Sequence, residues 1–79
     1  MLSFQVVNDG KTIQICCDHE GMATLLKSLA DLVRDPDHIH LRGESAGGNK
    51  LSETSPFGSP ALSEVIIDYS PDYSAQNSN

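Results

Sequence analysis

The chain reads as an α+β domain of order β-β-α-β-β, a four-stranded, largely antiparallel sheet with one amphipathic helix packed on one face. Three observations lead there. Short segments alternate apolar and polar residues with period two, a single stripe of period 3.6 runs from Met22 to Val33, and turn residues stand where the periodicity changes. With 79 residues, 38% of them apolar, there is material for one thin core, and a chain this short buries only about 60% of the surface its unfolded form exposes. The expected organisation is one domain over residues 1–70 and a disordered tail over 71–79, whose Pro, Ser and Asn residues leave little to bury.

In residues 2–7, Leu2, Phe4 and Val6 alternate with Ser3, Gln5 and Val7, and in residues 12–17, Ile13, Ile15 and Cys17 alternate with Thr12, Gln14 and Cys16. Asn8-Asp9-Gly10-Lys11 between them supplies the Asp-Gly turn of a hairpin. Asp18 is placed to cap a helix, and Glu20 sets negative charge near its positive end. Met22, Leu25, Leu26, Leu29, Leu32 and Val33 then form one apolar stripe opposite Lys27, Ser28, Asp31 and Arg34. The helix must stop before Pro36, because the residue ahead of a proline avoids helical dihedrals.

Residues 38–42 alternate again, with Ile39 and Leu41 on the core side and His38, His40 and Arg42 outward. Residues 43–60 are rich in Gly, Ser and Pro and are expected to be mostly irregular. The last strand lies within residues 62–69, with Val65, Ile67 and Tyr69 inward and Glu64, Ile66 and Asp68 outward. The sheet face away from the helix would then carry Ser3, Gln5, Val7, Gln14, Cys16, His38, His40, Glu64, Ile66 and Asp68, a mixed surface on which Ile66 hints at a contact.

Eleven acids stand against five Lys and Arg, a formal charge of −6. Such a field repels phosphate backbones and anionic membranes, so neither nucleic acid nor membrane is an expected partner. From Gly43 onward Glu44, Glu53, Glu64, Asp68 and Asp72 face only Lys50, an imbalance suited to a basic protein partner. No apolar run reaches the ~18 residues of a membrane span. Met1-Leu2-Ser3-Phe4 has neither the charged nor the apolar region of a signal peptide, and the expected location is the cytoplasm. Cys16 and Cys17 are adjacent, point to opposite faces of a strand and are expected as reduced thiols.

Three chemical readings compete with ordinary surface roles. His38-x-His40 on a strand could share a metal if Glu64, Asp68 or His19 supplied a third ligand, but the favoured reading is no metal and no cofactor. Ser45 or Ser52 with His40 could form a nucleophile-base pair on paper, yet no nucleophile elbow surrounds either serine, and the favoured reading is no enzyme. Gly47-Gly48-Asn49-Lys50 lacks the Ser or Thr after Lys that a phosphate-binding loop requires and reads as a turn.

The run from Asp37 to Leu51, continuing through Ser52-Glu53, resembles the central signature of the Imm32-type immunity proteins of bacterial polymorphic toxin systems. That signature joins a His-x-His-Leu strand, here His38 to Leu41, to a Gly-Gly turn, here Gly47-Gly48, and a Leu-Ser/Thr-Glu, here Leu51-Ser52-Glu53. Ala46 stands where the family commonly has an aromatic residue. The resemblance implies a non-enzymatic protein that neutralises a cognate toxin inside the cell. The expected recognition surface is then His38, His40, Arg42, Glu44, Asn49, Lys50 and Glu53, with the acidic C-terminal half steering the encounter. The alternatives are a homodimer pairing through an edge strand or through the face holding Val7 and Ile66, and a small metal-dependent or hydrolytic protein centred on His38 and His40.

Overall fold

The computed structural model describes residues 1–73 and has the predicted α+β order. Strand β1 (Leu2–Val7) pairs antiparallel with β2 (Thr12–Cys17), in a register that sets Leu2 opposite Cys17 and Val7 opposite Thr12. Asn8 and Asp9 turn the corner at φ 54° and 58°, followed by Gly10 at φ 81°. Asn, Asp and Gly are the residues for which this left-handed region is least costly. Helix α1 (His19–Arg34) starts on the Asp18 carboxylate, which accepts from the Gly21 amide at 2.9 Å, and closes with the Asp35 amide donating to the Asp31 carbonyl. A second ribbon follows, β3 (His38–Arg42) antiparallel to β4 (Glu64–Asp68), and the Gly43-to-Ser63 and Tyr69-to-Asp37 backbone bonds extend it at both ends.

The single four-stranded sheet is replaced by two two-stranded ribbons. The reason lies in residues 51–62, which fold back on themselves through the Ala61-to-Glu53 and Ser55-to-Ser59 bonds and so are more regular than their composition suggests. This segment takes the free edge of β1, with the Ser52 amide on the Leu2 carbonyl and the Leu62 amide on the Phe4 carbonyl. An edge already occupied at Leu2 and Phe4 cannot accept a full strand ladder there.

The core sits where the ribbons, this segment and α1 converge. Leu2, Phe4, Leu41 and Leu51 form its centre, with Cys17, Leu25, Ile39, Leu62, Val65 and Ile67 packed around them. Two expectations about faces are corrected. Ser3 and Gln5, placed outward by alternation, are buried, because β1 is the strand flanked on both edges. Ile13 and Ile15, placed inward, are about half exposed, because β2 is an edge strand and α1 turns Gly21 and Leu32 toward the interior instead of covering it. The Gln5 amide donates to Gln14 and to the Cys16 sulfur, while Ser3 Oγ and Gln5 Oε1 find no hydrogen-bond partner among the described residues. Both cysteines are free and partly buried.

The predicted tail over 71–79 is described only to Tyr73, whose amide bonds the Ser70 carbonyl; the remainder lies outside the described residues. Among the described residues no helix is long and apolar enough to cross a membrane.

Candidate functional site

Alternation along β3 and β4 places His38, His40 and Arg42 on the same outward face as Asp68, Ile66 and Glu64, their direct cross-strand neighbours. Glu64 gathers this face. Its Oε2 accepts from Arg42 Nε at 2.7 Å and lies 2.8 Å from His40 Nδ1. An ionised carboxylate can only accept, so the Nδ1–H form of His40 donates to it, and Arg42 Nη2, 3.2 Å from the same nitrogen, is a neighbour without being its donor. Arg42 first, and His40 second, hold the Glu64 carboxyl below the usual carboxylate range. His38 stands edge-on to His40 with ring centroids 5.1 Å apart, and its Nδ1 lies 3.0 Å from Asp37. Ile66, opposite His40, is exposed in the middle of these polar groups.

The remaining predicted site residues divide. Glu53 is half buried and its carboxylate accepts from both the amide and the hydroxyl of Ser45, which lowers its pKa. It closes the single 3₁₀ turn Glu44–Ala46 onto the chain and fills the space beside Gly43, where a Cβ would lie 2.5 Å from Glu53 Oε2. Glu44 is exposed at the start of that turn. Asn49 and Lys50 adjoin Arg42 through the backbone, the Lys50 amide donating to the Arg42 carbonyl, but they line a shallow groove with Glu20, Gly21, Thr24 and Ser52 at the helix start. Gly48 packs on Arg42 itself, where a Cβ would come within 2.6 Å of the Arg42 Cβ.

The hydroxyls weighed as nucleophiles are otherwise engaged, Ser45 with Glu53 and Ser52 with the Thr54 carbonyl. Among the described residues no group of three or more His, Cys, Asp and Glu side chains is arranged to hold a metal.

Two exposed apolar features besides Ile13 and Ile15 escaped sequence reasoning. Phe57 is 74% exposed at the tip of a turn organised by Ser55, whose buried Oγ accepts from the Phe57 and Ser59 amides. The signal was an aromatic residue within Pro-Phe-Gly, where a polar one serves a turn as well. Met22, Leu26, Leu29 and Val33 are the other feature, read as core because they belong to the helical stripe. Comparison with family models, curated proteins and solved structures found no match.

Proposed function

We propose that the chain is a non-enzymatic protein-binding module, an immunity protein of the Imm32 type that neutralises a cognate bacterial toxin in the cytoplasm. One observation carries the reading: His40, Arg42 and Glu64 hold one another in a fixed arrangement on a solvent-facing ribbon, around exposed Ile66. Polar groups already ordered by their neighbours lose little freedom when a partner arrives, and an exposed apolar side chain at their centre offers the partner something to desolvate. With Nδ1 committed to Glu64, Nε2 of His40 is the free acceptor of the neutral ring. The excess of acids after Gly43 favours a basic partner surface.

The test is to inspect the neighbouring genes for a secreted protein with a variable C-terminal toxin domain, and to co-express the chain with that domain. The chain is expected to restore growth and to bind the purified domain in calorimetry. A folded His40→Ala/Arg42→Ala variant is expected to bind about tenfold more weakly or worse, a loss of roughly 1.4 kcal/mol or more. A gene neighbourhood without a toxin, or a variant that protects and binds like the wild type, overturns the reading.

A further inference from the structure

Alternation gives His38 and His40 a common face of β3, and the structure adds which way each ring is turned. His38 Nδ1 lies 3.0 Å from the carboxylate of Asp37, the residue before it. His40 Nδ1 lies 2.8 Å from Glu64, which stands across from Arg42 and so on the side of His40 away from His38. Arg42 Nη2, 3.2 Å from the same nitrogen, marks the same direction. The two carboxylates thus bracket the pair and draw both Nδ1 atoms apart along the strand. A carboxylate only accepts, so each ring carries its proton on Nδ1 and keeps a free lone pair on Nε2, on the opposite ring edge.

The spacing of the rings fits one metal ion. Side chains two apart leave a strand roughly 6.6 Å from one another, and these ring centroids have closed to 5.1 Å with 70° between the planes. With a metal–nitrogen bond of about 2.0–2.1 Å, an ion in line with Nε2 lies roughly 3.2 Å from the ring centroid, so two imidazoles on one tetrahedral ion have centroids about 5.2 Å apart. Neighbouring imidazoles on a square-planar ion would need about 4.5 Å. A carboxylate on the far ring N–H is also what metal-bound histidines keep behind them, because it fixes the tautomer and makes the ligating nitrogen more basic. The surroundings favour a cation. Asp37, Glu64 and Asp68 adjoin the rings, and the one base among them, Arg42, is held by Glu64. The His38 and His40 side chains are 50% and 32% exposed, within reach of an ion from solvent.

We propose that His38 and His40 bind a tetrahedral divalent cation of the zinc type through their Nε2 atoms, with Asp37 and Glu64 as positioning residues behind them. Among the described residues no third side chain completes the set, so water fills the remaining positions and the site is open. Two of four ligands supply about half the binding free energy of a closed zinc site, which corresponds to a dissociation constant on the order of 10 μM. The other soft donors, Cys16 and Cys17, are adjacent on β2 and point to opposite faces, so they cannot meet on one ion. The proposal goes beyond the toxin-binding reading and does not rest on it, because the ion needs no partner protein.

Calorimetric titration of zinc chloride into the tag-free chain tests this. One ion per chain is expected. In nitrogen-edited spectra the Nε2 resonances of His38 and His40 should move together on adding zinc while both Nδ1 atoms stay protonated, a readout that needs no variant. His38→Ala and His40→Ala are each expected to weaken binding about tenfold or more with an unchanged circular dichroism spectrum. His19→Ala and Cys16→Ser/Cys17→Ser are expected to bind like the wild type. Glu64→Gln is expected to weaken binding about tenfold at the same stoichiometry and to leave a larger share of His40 protonated on Nε2. The absence of binding below about 1 mM zinc overturns the proposal. So do zinc-dependent shifts at Nδ1 in place of Nε2, single-histidine variants that bind like the wild type, or a loss confined to the cysteine or His19 variants, which would put the ion elsewhere.

Discussion

Gly21 shows how far a single residue can depart from its propensity. In an exposed helix, Gly→Ala gains about 0.5–1 kcal/mol. Here the added methyl would stand 1.8 Å from the Met1 carbonyl oxygen and 3.1 Å from the Cys17 Cβ, so the first turn of α1 would have to lift off the hairpin. Gly21→Ala is accordingly expected to destabilise the protein by about 1–3 kcal/mol, read as a lower urea midpoint; an equal or higher midpoint would contradict this packing. The neighbouring Asp18 is the opposite case. Its capping role was legible because it depends on a residue type and a local offset alone, and the structure puts its carboxylate on the Gly21 amide as expected. Nothing local marks Gly21, since the atom that forbids a side chain there belongs to Met1, twenty positions away.

At the scale of elements, the four strands and the helix were readable from alternation and from the 3.6-residue stripe, and several of their ends from Asp-Gly and Asp-Pro. The outward placement of His38, His40 and Arg42 followed from the same alternation. Their joint dependence on Glu64 did not, because it needs the cross-strand register that pairs Arg42 with Glu64, 22 residues apart. That dependence has a measurable consequence. In Arg42→Ala the largest influence lowering the Glu64 carboxyl is removed, and its titration, followed by the side-chain carboxyl resonance, is expected to move up toward the ordinary glutamate range. An unmoved titration would mean that Arg42 does not hold this carboxylate in solution. Residues 43–60 were the least legible stretch. Gly, Ser and Pro signal turns, and Ser55 organises its own loop locally, but the turns are tied together by Glu53 on Ser45 and by the bonds to β1, which join residues that local patterns cannot relate.

For the whole molecule, the response to acid follows from several surface carboxylates acting together. Arg42 and His40 lower Glu64, the Ser45 hydroxyl and amide lower Glu53, and Lys27 and Arg34 lower Asp31. A carboxylate whose folded pKa lies below its unfolded value contributes stability that is fully present above the unfolded value and lost as pH falls through the folded one. Each contribution is small because these groups face solvent, and below the isoelectric point near 4.6 growing positive charge acts in the same direction. The melting temperature is expected to hold nearly level from pH 7 to about 5 and to fall below about pH 4. A level or rising melting temperature between pH 5 and 3 would contradict the ion pairs and hydrogen bonds that lower these carboxylates.

Element types, their order, the acidic balance and the outward histidines are properties of short windows, where periodicity and turn chemistry act on neighbouring residues, and the chain on its own was enough to settle them. The division into two ribbons, the burial of Ser3 and Gln5, and the rotation of α1 that leaves Met22, Leu26, Leu29 and Val33 in solvent came from packing between distant segments. An apolar stripe says only that a face avoids water. Which part of it the core covers depends on how residues 51–62 and the two ribbons fill the space around Leu2, Phe4, Leu41 and Leu51, and that is a competition among long-range contacts that no local pattern records.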